Sequence, residues 1–272
     1  MMKNITIGQY IPSDSPIHKL DPRTKIMSTI FFITLLFFVK NFTGYAVVFG
    51  LLLVTTYLAK LKFSFLYNGL KGIFMLILFT AALNLFITGG AGTPLLQLGP
   101  LKVYPEGIHL AVYMTLRLVF LVMGTSLLTL TTSPIELTDG IEKLLSPYKR
   151  FGMPAHELAM MMSIALRFIP TLMDETDKIM KAQMARGADF ESRNLIKKAQ
   201  SLIPILVPLF ISSFRRAEDL AMAMEARCYR GGEGRTRMKE LKYRAGDAKA
   251  YLIFAAFAAA VIFLGLKRFG LP

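Results

Sequence analysis

Residues 72–88 read GIFMLILFTAALNLFIT, an apolar run without a charged residue. Its length approaches the roughly 20 residues that a helix needs to cross the hydrocarbon core of a bilayer. Four further segments resemble it, at residues 26–39, 42–59, 107–131 and 248–266. With a hydrophobic content of 54% and a mean hydropathy of +0.48, these segments exclude an ordinary soluble domain. The sequence predicts an all-α, polytopic membrane protein with about five transmembrane helices.

Charged residues concentrate between the fourth and fifth apolar segments. Residues 133–246 hold 14 of the 18 acidic residues and 19 of the 32 basic residues. We therefore predict an N-terminal membrane domain at 1–132, a polar domain at 133–246 and a last transmembrane helix within 247–272. Basic residues beside apolar segments orient a membrane protein, so we interpret the net charge of +14 as orientation and not as nucleic-acid binding.

The positions of the basic residues also predict which side of the cell membrane each segment faces. The positive-inside rule places the N-terminus and residues 133–246 in the cytoplasm, and the Gly- and Pro-rich loop at 89–106 outside. Lys267 and Arg268 count against this topology, because they fall on the predicted outer side. The greater number of internal basic residues decides the prediction.

The polar domain carries the patterns of three helices, at about 133–145, 154–186 and 193–227. Residues 201–214 are apolar enough to suggest a sixth span, but 14 residues at ~1.5 Å each reach only about 21 Å. We interpret this segment as a helix at the membrane surface or packed under the bundle. Kinks are expected at the three prolines inside the longer helices, Pro170, Pro204 and Pro208.

Sequence motifs of enzymes and ion-coupled carriers are absent. No G-x-x-x-x-G-K-[ST] phosphate loop occurs, and the Gly-rich segment 231–236 is interpreted as a turn. The predicted spans contain no Asp or Glu, which disfavours a proton- or sodium-coupled carrier. Arg117 is the only charge deep in a span, and either contacts a substrate or partner or pairs with nearby carbonyls and polar groups. The three histidines lie in separate segments and predict no metal site: His18, His109 and His156.

The pattern Ala-x-x-Ala-Arg followed by a small residue occurs twice in the polar domain. Residues 182–187 read AQMARG and residues 223–228 read AMEARC, and each closes a predicted helix. An arginine at a helix C-terminus interacts favourably with the negative dipole end, so capping explains a single copy. Two copies, each thinned by small alanines, favour docking into grooves of two similar partners, with the guanidinium as a forked donor. Capping remains the alternative.

Four stretches of the chain resemble the transmembrane T component of energy-coupling factor transporters, which are ABC importers. They are DSPIHKLDPRTK at 14–25, LTTSP at 130–134 and the two arginine motifs, and the resemblance covers nearly the whole chain. It implies that Ala185-Arg186-Gly187 and Ala226-Arg227-Cys228 lie at the tips of coupling helices and dock two cytoplasmic ATPases. Cys228 departs from the glycine of the motif, so the need for glycine's backbone freedom there stays open.

The resemblance also implies a division of labour with partners. This chain would transmit ATP-driven motion to a separate membrane S component that binds a vitamin or micronutrient. It would be no enzyme and bind no cofactor, since ATP and magnesium belong to the ATPases. The apolar faces of the long helices either fill the seam between them or contact the S component, where we expect Met161, Met162, Leu202, Ile205 and Leu209. A cobalt- or nickel-dedicated T component, a stand-alone channel or carrier and a membrane enzyme remain alternatives.

Overall fold

The computed structural model divides the chain into two compact units. The described residues of 142–239 form one, which we call the insert unit, and those of 8–141 and 240–272 form the other, the membrane unit. The residues that the structure describes are 10–39, 41–87, 96–98, 101–188, 190, 195–231 and 240–266.

Helices account for nearly all of the described chain. In order they are α1 (Pro22–Phe38), α2 (Phe42–Leu58), α3 (Phe63–Ile87), α4 (Pro105–Thr131), α5 (Pro134–Leu145), α6 (Ala155–Ala185), α7 (Leu195–Ala226) and α8 (Ala245–Leu266). A 3-10 helix, Ser146–Phe151, precedes α6. This architecture confirms the predicted all-α class.

Three of the described helices, α3, α4 and α8, are long and apolar enough to cross a bilayer. The helices α1 and α2 have 17 residues each, which is about 26 Å at 1.5 Å per residue. The α7 helix, which contains the apolar segment 201–214, is not among the three. Only 6% of the apolar stretch of α3 is buried, as expected for a surface whose solvent is lipid.

The third apolar segment forms a longer helix than its hydropathy predicts. We expected it to begin at residue 72, but α3 begins at Phe63, so that Lys71 lies inside the helix. The apolar stretch marks only the part suited to hydrocarbon, whereas backbone hydrogen bonds continue the helix beyond it. A Cβ at Gly69 would lie 3.1 Å from Ser126 Oγ, so this extra part packs closely against α4.

The loop predicted at 89–106 contains regular structure that its composition does not reveal. Two short antiparallel strands, β1 (Leu96–Leu98) and β2 (Leu101–Val103), form a hairpin in which Leu96 opposes Val103. The loop residues 89–95, 99 and 100 lie outside the described part of the chain. The α4 helix then begins at Pro105, a residue whose fixed φ suits the first turn.

The core of the membrane unit centres on α4, which packs against α1, α2 and α3. Gly124 on α4 faces the Phe32 ring so closely that an added Cβ would overlap it. The two helices can therefore approach at this level only with glycine in place. The most buried apolar side chains of this core include Phe32, Leu36, Val48, Leu52, Phe120 and Val261.

Buried carboxylates join the start of α1 to the start of α8. Asp21 caps α1 by accepting from the Arg23 amide at 2.9 Å, and it pairs with the Arg23 guanidinium at 2.8 Å. Asp247, only 1% exposed, accepts from the backbone amides of Asp21 at 2.8 Å and Arg244 at 2.7 Å. Burial raises the pKa of the Asp21 carboxyl, but the hydrogen bonds and charge of Arg23 outweigh burial and lower this pKa overall.

Lys25 extends this buried polar group to the end of α4. Its Nζ donates to the carbonyls of Thr131 at 2.9 Å and His18 at 3.1 Å. The start of α1 is therefore joined by hydrogen bonds to the end of α4 and to the start of α8.

Candidate functional site

The α6 helix ends in a Schellman motif built around the first arginine. The amide of Ala188 donates to the Gln183 carbonyl at 3.0 Å, and the amide of Gly187 donates to the Met184 carbonyl at 3.0 Å. Gly187 has a φ of +87°, the left-handed conformation that this motif requires. Arg186 is the C-cap residue, so the turn carries its side chain at the tip of the helix.

The α7 helix ends in the same way, 41 residues later. The amide of Tyr229 donates to the Met224 carbonyl at 3.0 Å, and the amide of Cys228 donates to the Glu225 carbonyl at 2.8 Å. Cys228 has a φ of +56° and takes the place that Gly187 has in the first motif. Arg227 again occupies the C-cap position. The repeated sequence is therefore a repeated backbone structure, and we call residues 182–188 and 223–229 the two tips.

The conformation of Cys228 answers the question that its departure from glycine raises. A residue with a Cβ pays on the order of 1–2 kcal/mol to enter the left-handed region. A Cβ at Gly187 would meet nothing within 4 Å, so backbone conformation and not space favours glycine there. Both tips use the left-handed conformation, and Cys228 adopts it despite the cost.

The side chains of the two tip arginines do not cap their own helices. Arg186 and Arg227 are exposed, and within the described part of the chain neither guanidinium has a hydrogen bond or an ion pair. Backbone amides already satisfy carbonyls at each end, so capping does not require the side chains. The alanines that precede them are exposed as well, at positions 182, 185, 223 and 226.

An ion pair links the two tip-bearing helices. Arg216 Nη2 on α7 donates to Glu175 Oε2 on α6 at 2.7 Å. A hydrogen bond from Ser212 is the largest influence on Glu175 and, together with Arg216, lowers the pKa of its carboxyl. Our sequence reasoning missed this pair. The signal for it was the spacing of the twin arginines, since Glu175 and Arg216 are also 41 residues apart.

The residues predicted to contact a membrane partner are divided between two surfaces. Met161, Met162 and Leu202 are exposed, as expected for contacts. Ile205, however, is only 4% exposed and Leu209 is half-buried. The spacing 205, 209, 212 and 216 puts both on the α7 face that carries Ser212 and Arg216. Ile205 is thus buried within this chain, and its contact with the S component stays a prediction.

A different set of α7 side chains forms an exposed apolar stripe. Its members recur at intervals of three, four and seven residues and share one face of the helix. The side chains are between 44% and 65% exposed: Leu202, Ile203, Leu206, Val207, Phe210, Ile211 and Phe214. A continuous apolar surface of this kind is typical of an interaction site or a membrane contact.

Two of the three histidines make local contacts. His18 Nδ1 lies 2.7 Å from Ser15 Oγ and its Nε2 lies 3.0 Å from the Ile11 carbonyl, and burial lowers its pKa. His156 Nδ1 lies 3.2 Å from Glu142 Oε1. Among the described residues no group of three or more His, Cys, Asp or Glu could hold a metal ion.

Arg117 has apolar and soft neighbours in place of the polar ones considered from sequence. Its guanidinium lies 5.4 Å from the centre of the Phe37 ring, within cation–π range, and Nη1 lies 3.9 Å from Met114 Sδ. Asn84, a polar residue of α3, donates to the Thr80 carbonyl of its own helix at 2.8 Å. These contacts give Arg117 no acidic partner within the described residues.

Comparison with known proteins identifies relatives along almost the full length. The family described as "CbiQ: Cobalt transport protein" matches residues 13–238. A protein of Clostridium kluyveri named energy-coupling factor transporter transmembrane protein EcfT is 66% identical over 93% of this chain and 93% of its own length. Proteins of the same name from Thermosediminibacter oceani and Bacillus subtilis are 56% and 48% identical, over 96% and 97% of this chain and 98% and 99% of their own lengths. With both tips inside the matched region, this chain belongs to the family of CbiQ and EcfT, the transmembrane components of energy-coupling factor transporters.

Proposed function

We propose that this chain couples two cytoplasmic ATPases to a substrate-binding membrane S component in an importer for vitamins or micronutrients. The observation that carries the proposal is the pair of tips, which have the same backbone hydrogen bonds and each present an exposed, unpaired arginine among the described residues. Two equivalent tips suit two equivalent sites. The names of the relatives support a place in a multi-subunit transporter of the cell membrane.

The docking chemistry follows from the guanidinium group. A forked donor binds carboxylates and carbonyls in two-point geometry, and the small alanines beside it allow the helix end to enter a groove. Arginine is common among interface residues whose truncation costs on the order of 2–4 kcal/mol, or about 30- to 1000-fold in affinity. Each arginine is thus proposed to anchor one ATPase subunit.

Charge reversal at the tips tests this proposal. Arg186→Glu and Arg227→Glu should each reduce co-purification of the ATPases and substrate uptake, and the double variant should be worse. Matched controls are Lys181→Glu and Arg230→Glu, which reverse the charge of exposed residues near the tips. All variants should insert into the membrane at the same level. Complexes of normal yield and uptake in both tip variants would refute docking and leave the arginines without a role in assembly.

The exposed stripe of α7 is proposed as the surface for the S component. An apolar face of this extent suits a partner that itself lies in the membrane. Leu206→Asp and Phe210→Asp should reduce recovery of the S component while the ATPases still co-purify. Arg215→Asp, on the same helix but outside the stripe, is the control. Equal recovery of the S component in all three variants would contradict this assignment.

The chain is proposed to bind no nucleotide, so that ATP and magnesium belong to the partner ATPases. The sequence has no phosphate-binding loop, which supports this division. Purified alone, the protein should hydrolyse no ATP, and adding the ATPases should restore hydrolysis. Turnover by this chain alone, abolished by a point change within it, would show that it is an enzyme.

A second candidate is a T component dedicated to cobalt or nickel, of which the description of the matched family names cobalt. Uptake of radioactive cobalt and of vitamins by cells that express the complete transporter separates the two candidates. Transport by this chain alone in proteoliposomes would instead favour a stand-alone carrier.

A further inference from the structure

The 41-residue repeat of the insert unit extends from the tips into the bodies of the helices. Arg227 follows Arg186 by 41 residues, and Arg216 follows its ion-pair partner Glu175 by the same number. A contact between positions related by a repeat is the place where two equivalent helices meet symmetrically. Any other contact would leave unequal lengths of helix between the contact and the two tips.

The ion pair therefore defines two arms of equal length, residues 175–186 and 216–227. Each arm advances 11 residues, which is about 16 Å at 1.5 Å per residue. Both run through uninterrupted helix to the C-cap, and neither contains proline or glycine. All prolines of the two helices, Pro170, Pro204 and Pro208, precede the arms. Since proline removes a backbone hydrogen bond, the arms are the stiff parts of these helices.

We propose that the Glu175–Arg216 pair is the pivot of the two arms and sets the distance between the two tips. This inference rests on the proposed function, in which each tip docks one ATPase. With stiff arms, the angle between them at the pivot fixes the separation of the tips. A turn of one arm by about 20° displaces its tip by roughly 6 Å, given an arm of ~16 Å. The distance between the two docked ATPases would thus depend on the pivot, although neither pivot residue lies at a tip.

The surroundings of the ion pair suit it to positioning the two helices more than to stabilising the folded insert unit. Glu175 interacts with two residues of α7, Arg216 and Ser212. Two attachment points limit sliding of one helix along the other. The side chains of Arg216 and Glu175 are 36% and 22% exposed, and ion pairs with such access to water contribute little to unfolding free energy. A change at the pair should therefore alter the arrangement of the arms more than the folding of the unit.

Distance measurement between the arms tests the pivot. Lys181→Cys and Met222→Cys place spin labels at exposed positions related by the repeat, in a Cys228→Ser background. The full-length protein in lipid nanodiscs is examined by double electron–electron resonance. The unaltered pair should give one narrow distance distribution, and Glu175→Gln or Arg216→Gln should at least double its width. The double variant Glu175→Arg, Arg216→Glu reverses the ion pair and should restore most of the narrowness of the distance distribution.

Asp174→Asn and Arg215→Gln are matched controls. Asp174 and Arg215 are the exposed neighbours of the pivot residues and are themselves related by the repeat. Among the described residues neither has a hydrogen bond or ion pair, so each variant loses the same charge without breaking one. Their distributions should remain narrow. Unchanged widths in both pivot variants, or equal broadening in both controls, would overturn the proposal.

A second readout separates the pivot from docking itself. In the complete transporter, the pivot variants should retain both ATPases but lose uptake per ATP hydrolysed by several-fold, while the controls match the unaltered protein. Unchanged uptake per ATP in the pivot variants would also overturn the proposal. Failure of the docking hypothesis would be seen elsewhere, as normal assembly of the Arg186→Glu and Arg227→Glu variants. The arm distances, measured on this chain without partners, do not depend on that result.

Discussion

The two tips offer a controlled test of how much a left-handed residue costs. Gly187→Cys gives the first tip the sequence Ala-Arg-Cys of the second, and Cys228→Gly performs the reverse change. A Cβ at residue 187 meets no atom within 4 Å, so the substitution at φ +87° costs backbone energy alone. That energy is about 1–2 kcal/mol, offset by roughly 0.4–1 kcal/mol because glycine loses more entropy on folding. The net cost is about 1 kcal/mol.

Amide hydrogen exchange can measure this free-energy cost at each tip separately. The amides of Ala188 and Tyr229 close the two Schellman motifs, so their exchange reports opening of each tip. A change of 1 kcal/mol alters the opening equilibrium about fivefold. We expect Gly187→Cys to accelerate exchange at residue 188 by about fivefold and Cys228→Gly to slow it at residue 229 by a similar factor. The untouched tip in each variant is the internal control. Unchanged exchange at both altered tips would refute the left-handed conformation assigned to residues 187 and 228. Slower exchange in Gly187→Cys and faster exchange in Cys228→Gly would refute the energetic reasoning.

The remaining predictions concern topology and packing in the membrane unit. In intact cells an impermeant thiol reagent should label Glu106→Cys, an exposed position, in a Cys228→Ser background. In the unaltered protein the same reagent should label Cys228 only after the cells are permeabilised. The reverse pattern of labelling would invert the topology. Asp247→Asn should lower the free energy of unfolding by about 1–3 kcal/mol, because one of the two carboxylate oxygens becomes an NH2 donor and one backbone amide loses its acceptor. The exposed Glu240→Gln should be neutral, and equal midpoints of the two variants in denaturant would contradict this reasoning. Gly124→Ala should cost about 1–3 kcal/mol by overlapping Phe32, whereas Gly50→Ala, with nothing within 4 Å, should gain roughly 0.5–1 kcal/mol; thermal unfolding in detergent distinguishes the two signs.

The helices could be predicted because their signals are local. The lengths of the apolar runs predicted the presence of α1 to α4 and α8. The spacing of apolar residues predicted α5, α6 and α7 to within a few residues at each end. Helix ends outside the hydrocarbon were harder, and α3 began nine residues earlier than its hydropathy indicated. The buried contact between Asp21 and Asp247 joins residues 226 positions apart, and no local pattern reports such a pairing.

The candidate site was recognised as a motif but not as a geometry. The arginine repeat pointed to the tips, yet cysteine in the left-handed region is disfavoured, so no sequence pattern predicted the same turn at Cys228. Ile205 illustrates a related point. Hydrophobicity identifies a residue that avoids water but not which surface covers it, and Ile205 lies buried on the α7 face that carries Ser212 and Arg216.

Folding and docking depend on different residues of this chain, and this separation can be exploited. The groups that fix the fold are buried, as Asp247 is where it accepts two backbone hydrogen bonds. The tip arginines make no such contact among the described residues, so their substitution removes no folding energy beyond about 0.3–1 kcal/mol of helix-dipole interaction. Their contribution would appear only when a partner replaces the water around the guanidinium. A variant that unfolds at the normal temperature but fails to assemble therefore implicates the interface, whereas one that loses both implicates the scaffold.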